Sequence, residues 1–206
     1  ELLAPEEALP QLKGTLALVR ELSSQAWLHL VIGALAGVYI LLDDSTGAQT
    51  CLETVLPPQV PMDTASKRYC WAKRAELALS QGDPALALDI TDRLIGSAPG
   101  MSPGRVITFL WKLKGEALAA VGRTEEACSL LRAAIENARA MEERFLLWRI
   151  HASLGRLYCA MGRQSEAEQE FATARELVKE LADTVPDGEV RDSFLQRAHE
   201  RLRFSP

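Results

Sequence analysis

Trp111–Ile135 reads WKLKGEALAAVGRTEEACSLLRAAI, and His151–Arg175 reads HASLGRLYCAMGRQSEAEQEFATAR. At an offset of forty residues the two segments align a large residue (Trp111, His151), a glycine (Gly115, Gly155), a second glycine (Gly122, Gly162) and an alanine (Ala127, Ala167). Trp71–Leu94, WAKRAELALSQGDPALALDITDRL, fits the same frame one period earlier through Trp71, Ala75, Gly82 and Ala87. A period in this range marks a repeat array, in which each unit buries its apolar face against its neighbours. Such proteins hold partners far more often than they catalyse.

The landmarks follow from helix packing. Antiparallel helices joined by three or four residues cross closely, and a large side chain at the crossing would hold them apart. Ala75, Gly115 and Gly155 meet that need on the first helices, and Ala87, Ala127 and Ala167 on the second. Gly82, Gly122 and Gly162 fall where the first helix ends, a place where a left-handed cap suits glycine. Trp71, Trp111, Leu131, Tyr158 and Phe171 are the bulky residues left to fill the space between helices.

This spacing predicts helical hairpins at about 65–81 with 84–96, 103–121 with 125–141, and 143–161 with 166–182. Ser102 and Pro103 are expected to start one helix, and Glu125-Glu126 and Glu142-Glu143 to sit in first turns, where acids favour the helix dipole. Upstream, helices are expected over Pro5–Ser24, Ala26–Leu42 and Thr46–Leu56 before PPQVPMD (Pro57–Asp63) breaks the chain. A last helix follows Pro186-Asp187-Gly188. Its stripe of Val190, Phe194, Leu195, Ala198 and Leu202 closes the stack, with Arg191, Arg197, Glu200 and Arg203 toward water. The expected fold is all-α, a right-handed α-α superhelix of helical hairpins with a C-terminal capping helix. One solenoid domain is expected over 1–206: an N-terminal helix and degenerate hairpin (5–62), three repeats (64–182) and the cap (187–203).

Composition agrees. Of 206 residues 48% are hydrophobic and only 6% aromatic, and with Ala and Leu abundant the balance favours helices over strands. The net charge of −5 gives no electrostatic basis for wrapping nucleic acid. Cys51, Cys70, Cys128 and Cys159 are far apart with no CxxC pair, which argues against zinc and for small buried residues in a reducing, cytoplasmic compartment. Ala26–Leu42, AWLHLVIGALAGVYILL, is at the lower edge of membrane-spanning length and carries Gly33 and Gly37. It reads better as a core helix whose small residues admit a neighbour. The chain begins at Glu1, without Met, and is read as part of a longer protein.

These are the landmark positions of tetratricopeptide (TPR) repeats, which the three segments resemble over roughly Ser66–Ala182. Each unit is six residues longer than the family's usual 34. His151 stands where that family usually has Trp, and Arg74 and Lys114 stand where it is usually apolar. The 26–56 hairpin matches only loosely, through Ala36 and Ala48. LLWRIHASLGRLYCAMGR (146–163), with LADTVPDGEVRDSFLQRA (181–198), also resembles the helical arms of bacterial signalling ATPases and maltose-regulator-like transcription factors. That resemblance implies the sensor or interaction arm of a larger bacterial regulator.

No catalytic signature emerges. His29, His151 and His199 are dispersed, and His151 reads as a packed, satisfied imidazole. GSAPGMSPG lacks the GK[ST] ending of a phosphate loop. No cofactor and no metal is expected, and the reading is not an enzyme. The resemblance instead implies a groove lined by first helices. Its candidate binding residues are Tyr69, Glu76, Phe109, Lys112, Glu116, Arg149 and Arg156. A protein or peptide is the expected occupant. The alternatives are a small-molecule effector in the groove and a homodimerisation module built on apolar N-terminal helices. No direct nucleic acid contact and no membrane are expected.

Overall fold

The computed structural model describes residues 4–57, 60–98, 107–186 and 188–202. Among them are ten helices and no strand. The chain divides into two compact units, Pro5–Met101 and Ser102–Pro206.

The first unit holds α1 (Pro5–Glu21), α2 (Gln25–Leu41), α3 (Ser45–Glu53), α4 (Ala65–Ser80) and α5 (Pro84–Gly96). α2 packs against α1, α3 and α4, and α4 in turn against α3 and α5. Three of these helices begin on side-chain caps. Asp44 accepts from the Gly47 N–H at 2.8 Å, Thr64 from Lys67 at 3.3 Å and Asp83 from Leu86 at 3.0 Å. Each satisfies one N–H that the first helical turn leaves open. Pro84 takes the first helical position of α5, where its missing N–H costs nothing.

The second unit holds α6 (Thr108–Ala120), α7 (Thr124–Ala140), α8 (Arg144–Ala160), α9 (Gln164–Ala182) and α10 (Glu189–Leu202). α6 pairs with α7, α8 packs on both and on α9, and α10 lies against α9. Phe194 and Ala198 of α10 are fully buried and Leu202 nearly so. The expected capping stripe is therefore present at those three residues. Arg191 is tied to Asp183 at 2.8 Å, and Arg203 lies outside the described residues.

The small-residue crossings are as tight as the period predicts. A Cβ on Gly115 would lie 2.7 Å from Leu131 Cγ, and one on Gly155 would lie 3.0 Å from the Phe171 ring. Ala75, Ala87, Ala127 and Ala167 have no exposed surface. In α2, a Cβ on Gly33 would meet the Tyr69 ring at 2.5 Å, so the Ala26–Leu42 stretch is a core helix against α4. No helix among the described residues is long and apolar enough to cross a membrane.

Left-handed backbone recurs at Ser23, Asp43, Gly82, Gly122, Glu142 and Gly162, with φ between 52° and 81°. At five of these the next residue's N–H reaches back five positions. The pairs are Asp44 to Tyr39, Asp83 to Ala78, Arg123 to Leu118, Glu143 to Ala138 and Arg163 to Tyr158, at 2.8–2.9 Å. This is the hydrogen bond of a Schellman helix end. The successive intervals are 20, 39, 40, 20 and 20 residues. The forty-residue repeat is thus two twenty-residue helix-and-turn halves, and the earliest hairpin is displaced by one residue. At an offset of 39, Ile32, Ala36, Asp43, Ala48 and Leu52 take the places of Trp71, Ala75, Gly82, Ala87 and Thr91. Ala36 and Ala48 are fully buried, and Ile32 and Leu52 nearly so. The 26–56 hairpin carries the landmarks of the repeat, out of phase by one.

Two expectations need correction. α6 starts at Thr108 with Ile107 as its N-cap, not at 103; Ser102 and Pro103 lie outside the described residues. Glu142 and Glu143 precede α8, the former left-handed and the latter its N-cap, whereas Glu125 and Glu126 do occupy the first turn of α7.

All four cysteines are free, with Cys70 and Cys128 buried and Cys51 and Cys159 half-buried. Burial pushes the Cys70 thiol up to about 12, although its backbone contact in α2 works against this. The thiol donates to the His29 carbonyl at 2.9 Å. Since the thiolate is the reactive form, Cys70 is expected to resist alkylation in the folded protein and to react once denaturant is added. Peptide mapping after iodoacetamide treatment checks this. Equal labelling in both states would contradict it.

Candidate functional site

On α6, Phe109, Lys112 and Glu116 follow one another at three and four residues and share a face; on α8, Arg149, Ala152 and Arg156 do the same. The packing of α8 on α6 brings the two rows together. Lys112 Nζ donates to Glu116 Oε1 at 2.6 Å, and Ser153 Oγ donates to the same oxygen at 2.5 Å. Arg156 Nη2 lies 3.8 Å from that oxygen and donates to Ser153 Oγ at 3.2 Å. The other arm of the guanidinium, Nη1, donates to the Arg201 carbonyl at the end of α10, at 3.3 Å. One carboxylate therefore gathers two cations and a hydroxyl, and Arg156 links α8 to α10.

The cluster grades from core to solvent. The Lys112 side chain is 6% exposed, Glu116 23% and Arg156 46%. Burial works to raise the Glu116 carboxyl. The Lys112 charge, the hydrogen bonds from Lys112 and Ser153, and the Arg156 charge outweigh it and hold the group below its usual range.

The first unit carries the other two candidates, on α4. Glu76 pairs with Lys73 at 2.8 Å, and the Lys73 ammonium lies 5.7 Å from the centre of the Tyr69 ring. Tyr69 itself sits against Gly33 of α2, so much of its ring is packing surface. The structure thus joins Lys112, Glu116 and Arg156 directly, sets Phe109 and Arg149 on the same helix faces, and holds Tyr69 with Glu76 through Lys73. Sequence reasoning missed Lys73, Ser153 and the Arg201 carbonyl. The i,i+3 spacing of Lys73 and Glu76 was a usable signal. Ser153 gave none, because its partner is on another helix.

His151 is packed but only partly satisfied. It is 4% exposed, Nδ1 lies 2.5 Å from Glu170 Oε2, and Nε2 is buried without a hydrogen-bond partner. Trp111, the residue one repeat earlier, is half-buried at an open trough of about 460 Å³ between α6 and α7. Leu118, Leu130 and Ala133 add to its apolar floor, and Lys114, Glu125 and Glu126 stand at its rim. No group of three or more His, Cys, Asp or Glu able to hold a metal ion occurs among the described residues.

The helical fold is similar to that of two solved structures. A kinesin light chain-like protein of nearly identical TPR-like repeats from Podosopora anserina superposes with a TM-score of 0.54, covering 89% of this chain and 90% of its own, at 17% identity. A single-substitution form of it gives 0.56 over 87% and 89%, at 16% identity. This chain has a TPR-like fold. The expected class, an α-α superhelix of TPR-like hairpins, is that of these structures. No family model and no curated protein matches the sequence.

Proposed function

We propose that this chain is a non-catalytic scaffold that binds an acidic protein segment along the first-helix face of Ser102–Pro206. The supporting observation is the imbalance of charge there. Among the described residues of α6 and α8, Arg149 and Arg156 share the face with Lys112 and Glu116, whose charges offset each other, although the chain as a whole carries −5. Phe109, half-buried on the same face, adds an apolar contact for an extended or helical peptide. The resemblance of 146–163 and 181–198 to bacterial regulator arms supports a cytoplasmic, signalling or transcriptional setting, in which this arm receives the partner. The reading of 1–206 as a single domain belongs to the same proposal, and one cooperative melting transition is its expected signature.

A small-molecule effector is the weaker alternative, because the trough between α6 and α7 is open and its polar groups stand at the rim. A dimerisation module is a separate reading, supported by apolar side chains on α1 and α2 and not by the groove.

Fluorescence anisotropy with a dye-labelled Asp/Glu/Leu peptide, against a Lys/Leu control, tests the proposal. The acidic peptide is expected to bind, to weaken as salt is added, and to lose about tenfold or more in affinity to Arg149→Glu at an unchanged melting midpoint. Equal affinity for the two peptides, or for the two proteins, would overturn it.

A further inference from the structure

The α1–α2 hairpin has two apolar sides. One is core: Val19 of α1 and Val31 and Leu35 of α2 are buried, packed by Leu9, Leu12, Leu16 and Leu28. The other is bare. Leu18 is 61% exposed, Leu22 73%, Trp27 60% and Leu30 39%. At 100° per residue, Leu18 and Leu22 lie to one side of the inward stripe of α1, and Trp27 and Leu30 to one side of that of α2. In an antiparallel pair joined at Ser23 those sides coincide, so the four residues form one patch, with Leu30 at its edge toward α4, three and seven residues before Gly33 and Gly37.

The corresponding place in the other unit is covered in part: Met141, at the place of Leu22, is 57% exposed. Counted from the left-handed turn, Asn137 of α7 stands where Leu18 stands on α1, and its side chain donates to Thr108 Oγ1 of α6 at 2.7 Å. On its Leu18 side, the α1–α2 face has no counterpart of α6 among the described residues. α1 shows the deficit, because only Pro5 and Val19 of its 17 residues are buried.

We infer that this face pairs with the same face of a second copy, α1 and α2 of each forming a four-helix contact about a two-fold axis. This rests on the dimerisation reading and is independent of the groove. The four side chains expose on the order of 400 Å² of apolar surface, close to the apolar share of the roughly 800 Å² per partner in a stable interface. Trp27, beside Leu30, has the character of a central anchor. The patch and the neighbouring Ala26 and Ala34 carry no charge, so self-pairing brings no like charges together at its centre. Glu21 stays at the rim, in water.

Sedimentation equilibrium of the 206-residue chain over a range of concentrations tests it. The expected result is a species of twice the 22.6 kDa chain mass at micromolar concentration. Trp27→Glu and Leu22→Glu are expected to weaken dimerisation at least about a hundredfold, with helical content and melting midpoint retained. Met141→Glu, at an equally exposed apolar residue in the other unit, should leave it unchanged. A monomer throughout would overturn both the proposal and the dimerisation reading. A dimer weakened by Met141→Glu, or insensitive to Trp27→Glu, would overturn this face alone.

Discussion

Gly115→Leu is expected to lower the stability of the second unit by about 3 kcal/mol, enough to remove much of the folded population of a typical domain. The cause is local. Even a bare Cβ at Gly115 would sit 2.7 Å from Cγ and 2.8 Å from Cδ2 of Leu131, a side chain with no exposed surface. A leucine adds three more carbons in the same direction. α6 and α7 can admit them only by separating, and that loosens Leu113, Ala117, Ala127 and Ala134, which are all fully buried. Gly115→Ala should cost less, because better helix propensity returns up to about 1 kcal/mol. Combining it with Leu131→Ala should give less than the sum of the two losses, since the partner that clashes has gone. Urea midpoints of wild type and the four variants decide the matter. An unchanged midpoint for Gly115→Leu would refute the crossing.

The second large effect belongs to the ion cluster. Glu116→Ala is expected to cost about 3 kcal/mol, since it removes the carboxylate that an almost fully buried Lys112 ammonium contacts at 2.6 Å. Ser153 loses the same acceptor and Arg156 its nearby counter-charge, so the α6–α8 contact weakens as well. The pH dependence has a definite sign. The folded carboxyl titrates below its ordinary value of 4.5, so its contribution is fully present above that value and is lost as pH falls through the folded one. Glu116→Gln should therefore be less stable than wild type near neutrality, and the gap should close in acid. A gap that widens on acidification would contradict the direction assigned to Glu116.

The sequence made the repeat legible because close crossings leave few alternatives at Gly115, Gly155 and their alanine partners. The 26–56 hairpin was faint for a simple reason. Its landmarks are at an offset of 39, so a forty-residue comparison pairs Ala75 with Leu35 instead of Ala36. The left-handed residues Ser23, Asp43 and Glu142 were invisible, since glycine is the signal for such a position and none of the three is glycine. Candidate site residues could be assigned to helix faces from i,i+3 and i,i+4 spacing alone. Which of them touch depends on how α6, α8 and α10 are rotated about their axes. The Glu116–Ser153 and Arg156–Arg201 contacts were therefore beyond its reach, whereas Lys112–Glu116, within one helix, was not.

The count of twenty between successive left-handed turns limits how this chain can change in length. One residue inserted within α8 would turn every later side chain of that helix by 100°, carrying Arg156 off its row and Gly155 away from Phe171. Deleting one residue would do the same in the opposite sense. Only whole helix-and-turn increments leave the crossings of α7, α8 and α9 in step. The one departure, 39 residues between Asp43 and Gly82, spans the proline-bearing stretch from Pro57 to Asp63, whose described residues lie in no helix. Single-residue insertions and deletions should be tolerated there and rejected between Thr124 and Ala182, a contrast that a length-variant library scored by soluble expression would expose.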